Sequence, residues 1–445
     1  MSGFIEQERY TCAIGALQTV VAIPRAVPIL HSGPGCGTMI GGFFERSTGY
    51  AGGNTMPCTN FSEKDVVFGG VEKLRRLVEN SYKILDTDLQ VILTGCTAGI
   101  TGDDIASVAE DFKAEGKPIV YLDTPGFKMN NYRSHSEVVN AIINQYVSDF
   151  EDNNPARSKK NLVNVFASIP YQDLFWKENL KEYKRLLEGI GLEVNILFGP
   201  FSGGVKEWQT IPAANFNVLI SPWYGEPIVE NLERRYGQPY YKFGYVPIGG
   251  NETTKFLEGL IDFAIEQGAD IDREKAKAFY QREEYAFYEE IDNLITFITE
   301  FRYGLPSYVH VIGDAGYVVG LSKFLLNETG IIPKEQFIVD NTPQRYEQAI
   351  KDELASSSEK RDIPVTFDPD AGKAQKTILG LDHSRRGLII GSGWDREIAK
   401  QINADFVAGA APAQYRLTLS TNWAGYTGGL HVIEDIYNTV LSTYQ

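Results

Sequence analysis

The chain has 445 residues, 43% hydrophobic and 22% charged. No apolar run approaches the roughly 20 residues that span a bilayer, so it reads as a soluble globular protein of several domains. Lys and Arg total 42 against 58 Asp and Glu, a net charge of −16 that excludes nucleic acid and anionic membrane as natural partners.

The opening MSGFIEQERYTCAIG lacks the basic-then-apolar order of a secretory or transit signal, so a cytoplasmic location is expected. Short β-branched runs then alternate with amphipathic stretches, which predicts an α/β fold with parallel sheets flanked by helices. In the first stretch strands are expected at 27–31, 89–94 and 118–122, and helices at 64–80 and 101–115. The polar segment 151–160, EDNNPARSKK, reads as a linker. Strands recur at 162–167, 193–198, 217–221 and 241–246, and a long helix is expected over 272–301. A third stretch repeats the pattern, with strands at 307–312, 336–339, 364–367 and 388–390 and a last helix at 429–443. Segment 351–362 reads as a solvated surface. The expected division is 1–155, 156–303 and 304–445.

All four cysteines, Cys12, Cys36, Cys58 and Cys96, fall in the first 96 residues. Disulfides are not expected in the cytosol, and the spacings match no CxxC zinc pair. Cys36 in HSGPGCG, Cys96 in VILTGC and Cys12 just before a helix near Ala13 all stand where a sheet element hands over to a helix. Ligands of open α/β sheets bind at such strand ends. Glycines beside the thiols let backbone N–H groups approach a sulfide or thiolate, so either separate buried thiols or a shared iron-sulfur cluster fits. Cys58, in MPCTNFSEKD, is expected at the mouth of a helix capped by Thr59, Asn60 or Ser62, as a structural thiol, a fourth ligand or a reactive one.

Other patterns carry less. GDAGYVVG (313–320) is not GxGxxG and reads as close packing, and no GxxxxGK[ST] phosphate loop is present. His31, His135, His310, His383 and His431 form no HExxH or HxxxH pair, and only His31 lies near a cysteine motif.

YTCAIGALQTVVAIPRAVPILHSGPGCG, then NFSEKDVVFGGVEKL, then TGCTAGITGDDI resemble, in that order, the three signature stretches of the nitrogenase component 1 family. The similarity continues through LDTPGF, VLISPWYGEPIVENLERRYGQPYYKFGYVPIGG and STNWAGYTGGLHVIEDIYNTVL, over essentially the whole chain. The resemblance implies three Rossmann-like domains and association in pairs, with cysteines of both partners holding an iron-sulfur cluster between them. By motif, Cys12, Cys36 and Cys96 correspond to the cluster cysteines, with Gly33, Gly35, Gly37 and Gly95 shaping their loops, while Cys58 is not at a regular ligand position.

The ending looks β-type, and DTPGF resembles the β-type TPSF with Gly126 in the place of the serine. No cysteine follows Cys96, so a cofactor held through a later cysteine, as in α-type chains, is not expected here. Cys12 lies close to the start, and NFSEKDVVFGG is as α-like as β-like, which implies a divergent member. The implied function is the β-like subunit of a nitrogenase-like oxidoreductase. Its cluster, P-cluster-like with eight irons or a four-iron type, would relay low-potential electrons from an ATP-dependent iron protein to a reductive site in an α-like partner or a second copy. The alternative is a scaffold subunit for assembling a nitrogenase-type metal cofactor. No catalytic residue is assigned.

Overall fold

The computed structural model describes residues 4–47, 55–357 and 362–442. Its strands form three sheets, every pairing parallel. The first holds β1 (Ala26–His31), β2 (Leu89–Thr94) and β3 (Ile119–Leu122) side by side. The second holds β4 (Lys159–Phe166), β5 (Glu193–Ile196), β6 (Ala214–Ile220) and β7 (Tyr240–Phe243), in the order β5-β4-β6-β7.

The third comprises β8 (Tyr308–Gly313), the two-residue β9 (Ile332–Pro333), β10 (Gln336–Ile338), β11 (Val365–Phe367), β12 (Gly387–Gly391) and β13 (Asp405–Ala408). Its order is β11-β10-β8-β12-β13, with β9 also on β8. Every residue of β2, β6, β8 and β12 is buried, as parallel strands covered by helices on both faces must be. One continuous apolar core includes residues of all three sheets, Leu93, Val165 and Val311 among them.

The elements depart from the sequence reading where glycine and capping chemistry intervene. The helix expected over 64–80 is two, Glu63–Phe68 and Val71–Ile84, broken where Gly69 takes φ +85°. The one expected over 101–115 is found as Ile105–Ala114, capped by Asp104, and a short helix that was not expected, Cys96–Thr101, ends just before it where Gly102 turns left-handed. Half of the linker expected at 151–160 falls in regular elements. A 3-10 turn covers Val147–Asn153, and β4 already starts at Lys159. Of the surface segment 351–362, Lys351–Ala355 closes the amphipathic helix Gln344–Ala355, whose Leu354 is buried, and 358–361 lie outside the described residues. The long helix is found at Arg273–Phe301, capped by Asp272, and the last one begins early, at Gly425.

Two long-range ties join parts of the fold that are distant in sequence. The main chain of Gln7 pairs with Asp370 and Ala371, and the buried Arg9 forms an ion pair with Asp395 at 2.8 Å, so the residues just before Cys12 are strapped to the third sheet's helices. At the other end, the last helix Gly425–Ser442 packs on Gly249–Glu266, so closely that a Cβ at Gly429 would meet Gly249 Cα at 2.6 Å.

Candidate functional site

Three of the thiols stand at the amino ends of helices on the carboxyl side of the first sheet. Cys36 is the third residue of helix Pro34–Ser47, which follows β1, and Cys96 is the first of Cys96–Thr101, which follows β2. Cys12 caps the 3-10 turn Ala13–Gly15. It reaches the same edge because its backbone bridges Asn130, beyond β3, and the Asn131 N–H donates to Thr11 O at 2.9 Å. Helix amino ends favour a thiolate.

Glycines bring these elements together. The Gly126 N–H donates to Cys96 Sγ at 3.2 Å, and a Cβ on Gly126 would lie 3.2 Å from Cys96 Sγ and 3.4 Å from Cys12 Sγ, so both sulfurs flank one peptide. A Cβ on Gly95 would meet Ser32 Oγ at 2.0 Å and Cys36 Sγ at 3.6 Å, which seats the loop carrying Cys96 against Cys36. Gly33, Gly35 and Gly37 have no such steric need. A Cβ at Gly33 or Gly35 would meet nothing within 4 Å, and at Gly37 only Leu30 at 3.6 Å. Of the four loop glycines singled out from sequence, only Gly95 is forced by packing. Gly33 and Gly35 leave open space beside Cys36.

Cys58 lies next to this group but not where expected. Of the three expected caps it is Ser62 that closes helix Glu63–Phe68, in a reciprocal box with Asp65, so Cys58 does not stand at the helix mouth. Residues 57–59 instead pair with β1 at Leu30, and Cys58 Sγ donates to Ser32 O at 3.3 Å. It therefore has no helix amino end to stabilise a thiolate, and desolvation raises its pKa. Cys12 is exposed overall, yet enough chain crowds its sulfur that desolvation raises its pKa too, opposed by the Ile14 N–H and reinforced by the neighbouring Cys96 and Cys36.

Polar residues behind the thiols hold the edge in place. Thr94 Oγ1 donates to Asp123 Oδ1 at 2.5 Å and accepts the Thr124 N–H at 2.9 Å, fixing the loop that carries Gly126. His31, wholly buried, contacts Asp103 Oδ2 through Nε2 at 2.9 Å, and the same oxygen accepts the Gly70 N–H at 2.8 Å. Burial lowers the His31 pKa, so the ring is neutral and donates through Nε2. His135 bonds Thr19, while His310 lies on β8, His383 in the loop before β12 and His431 on the last helix. The GDAGYVVG stretch is close packing, as read, because a Cβ at Gly320 would meet Val246 O at 2.3 Å.

Ser32, Asp103, Asp123 and the Gly126 amide were not foreseen as site groups. Ser32 and Asp103 lie inside the quoted motifs, but which polar residue turns toward sulfur or a neighbouring loop depends on how three separate strand ends meet.

The site opens onto an apolar surface. Met39, Ile100 and Phe127 are all well exposed, one turn from Cys36, one turn from Cys96 and next to Gly126 respectively, and Val66, Val67 and Phe68 project from a helix packed on Cys96–Thr101. Among the described residues, no three His, Cys, Asp or Glu side chains close around a single metal ion. A polynuclear cluster takes its thiolates at different irons, so its sulfurs surround a volume rather than a point. An all-sulfur donor set, N–H and O–H donors at two of the sulfurs and open space at Gly33 and Gly35 suit such a group.

The family model described as Nitrogenase component 1 type Oxidoreductase matches residues 11–441. The chain belongs to this family. It is 24% identical to the nitrogenase molybdenum-iron protein beta chain of Clostridium pasteurianum, over 97% of this chain and 92% of that one. It is also 24% identical to one of the subunits of the light-independent protochlorophyllide reductase of Gloeobacter violaceus, over 79% of this chain and 66% of that one. Among solved structures it is similar to Nitrogenase Cp1 at pH 6.5, with a TM-score of 0.77 at 19% identity, covering 100% of this chain and 95% of that one. Among the described residues, no helix of this component 1 member is long and apolar enough to cross a membrane.

Proposed function

We propose that this chain is the β-like subunit of a cytoplasmic nitrogenase-like oxidoreductase, with Cys12, Cys36 and Cys96 supplying one half of an interfacial iron-sulfur cluster. The observation that carries the reading is the convergence of these thiols, with Cys12 and Cys96 flanking the Gly126 peptide and Cys36 against the Gly95 loop, on an edge bordered by exposed apolar side chains. When bound, such a cluster supplies one-electron transfer at low potential.

The chain's own residues do the remaining work. Helix amino ends and the Gly126 amide stabilise thiolate charge, and Thr94, Asp123 and Thr124 hold the Gly126 loop over two of the sulfurs. The exposed residue Cys12 and the apolar Met39, Ile100 and Phe127 leave one side open for an α-like chain or a second copy to complete the ligand set and exclude water. Electrons would come from an ATP-dependent iron protein, because the chain has no phosphate loop of its own. With no cysteine beyond Cys96, the reductive site is assigned to the partner.

The test is anaerobic co-purification with metal analysis, followed by turnover with the iron protein, ATP and reductant. Hydrogen evolution or acetylene reduction by an iron-bearing complex is expected. Iron-bearing protein that reduces nothing but transfers its cluster to an apo-reductase would replace this reading with the scaffold one. Iron and acid-labile sulfide near zero would refute both.

A further inference from the structure

We propose that Ser32 is a positioning residue for Cys36, and that the hydrogen bond from its hydroxyl to Sγ sets the reduction potential of the iron-sulfur group that Cys36 helps to hold. The inference rests on the reading of Cys36 as a ligand.

Ser32 is the first residue beyond β1 and is wholly buried. Its Oγ donates to Cys36 Sγ at 3.4 Å. The backbone that carries it is fixed on both sides of the side chain. Its N–H donates to Thr59 Oγ1 at 3.1 Å, while its carbonyl accepts Thr59 Oγ1 at 3.3 Å, the Phe61 N–H at 3.1 Å and the Cys58 thiol at 3.3 Å. Across the site, Gly95 closes so tightly that a Cβ there would stand 2.0 Å from Ser32 Oγ and 2.5 Å from its Cβ. The hydroxyl is thus held on the Cys36 side of a space that only a glycine leaves open.

A hydroxyl buried without bulk water must direct its proton at a neighbour, and here the neighbour is sulfur. Once that sulfur is a thiolate on iron, the hydrogen bond draws negative charge from it and favours the reduced, more negative state of the cluster. The structure gives Cys96 a different donor, the Gly126 amide, which a side-chain substitution at 32 does not remove. Ser32 therefore acts on one ligand of the set. It also joins Cys58 to the site: that thiol bonds the Ser32 carbonyl and so braces the residue that bonds Cys36.

The experiment uses the intact complex purified without oxygen, as wild type and as Ser32→Ala. Iron and sulfide per chain are measured first, then the midpoint potential by EPR-monitored redox titration, then exchangeable-proton couplings by pulsed ENDOR in H2O and D2O. The expected result is retained iron, a more negative midpoint and the loss of one exchangeable coupling. Iron-bearing Ser32→Ala with the midpoint and couplings of wild type would overturn the proposal and leave the ligand reading standing. A wild type without iron and sulfide would instead strike the ligand reading itself. Should Ser32→Ala lose its iron, the wild-type spectrum decides. A hydroxyl-type coupling beside the amide one supports the proposal, and an amide coupling alone overturns it.

Discussion

Gly95→Ala and Gly35→Ala place the same methyl group on either side of Cys36 with opposite consequences. At Gly95 the new Cβ would stand 2.0 Å from Ser32 Oγ and 2.5 Å from Ser32 Cβ, far inside van der Waals contact. Ser32 cannot retreat, because its N–H and carbonyl are bonded to Thr59, Phe61 and Cys58. Backbone strain is not the cause, since Gly95 has φ −92° and ψ −179°, which alanine adopts freely. The cost is therefore overpacking, about 1–3 kcal/mol, and the upper end is expected because both sides of the clash are held by main chain. The alternative is a shift of the Gly95–Cys96 backbone, which moves Cys96 Sγ from the Gly126 amide. At Gly35 a Cβ meets nothing within 4 Å, and the residue is helical, so alanine should change stability by no more than about 1 kcal/mol, in the favourable direction. Urea unfolding of the cluster-free proteins, with iron per chain after anaerobic reconstitution, separates the two. Gly95→Ala should lose stability and iron together. Gly35→Ala should keep its stability and lose iron, because the room beside Cys36 is where the group would sit. Wild-type stability and iron in Gly95→Ala would refute the claim that Ser32 and Gly95 lock the site.

Replacing Cys36 or Cys96 with Ala should remove most of the bound iron and its EPR signal, whereas Cys58→Ala, whose thiol is turned to the Ser32 carbonyl, should retain most of it. Arg9→Ala should cost about 3–5 kcal/mol in denaturant titrations by leaving the buried Asp395 uncompensated, and it should lower iron content because the strap ahead of Cys12 is released; Arg9→Met combined with Asp395→Asn should recover much of the stability. His135, fully buried against Thr19, has its pKa pushed down to about 3 by desolvation, so the unfolded chain binds the proton first, near its ordinary 6.5. Stability from this residue is then complete above pH 6.5 and is lost as the pH falls toward 3, by roughly 3 kcal/mol at about pH 4.5, a slope that His135→Gln should abolish in pH-dependent melts. Val67→Asp and Phe68→Ala alter side chains that are 72% and 80% exposed, so the melting temperature should hold while co-purification of a partner chain or iron protein falls.

The α/β class, the parallel sheets and the strands 89–94 and 307–312 were legible because a strand buried on both faces reads as a near-continuous apolar run, and LQVILT and YVHVIG come close to one, broken inside only by Gln90 and His310. The strand β13, DFVA, was missed for the converse reason. It is only four residues long and starts with an aspartate whose ion pair to Arg386 is invisible until both are folded. The helix break at Gly69 escaped notice because glycine signals only that a positive φ is allowed, and the carboxylate that holds the break, Asp103 accepting the Gly70 N–H, comes from a different loop.

The sequence alone determined the thiols to consider, since cysteine positions beside strand ends are a property of the chain, and its motif order was enough to point to the component 1 family. It could not determine their neighbours. That Gly126 stands between Cys12 and Cys96, that Gly95 presses on Ser32, and that Cys58 faces a carbonyl rather than a helix end depend on where β1, β2 and the loop beyond β3 stop relative to one another. Register across a sheet is set by packing over the whole domain, so only the tertiary structure decided them.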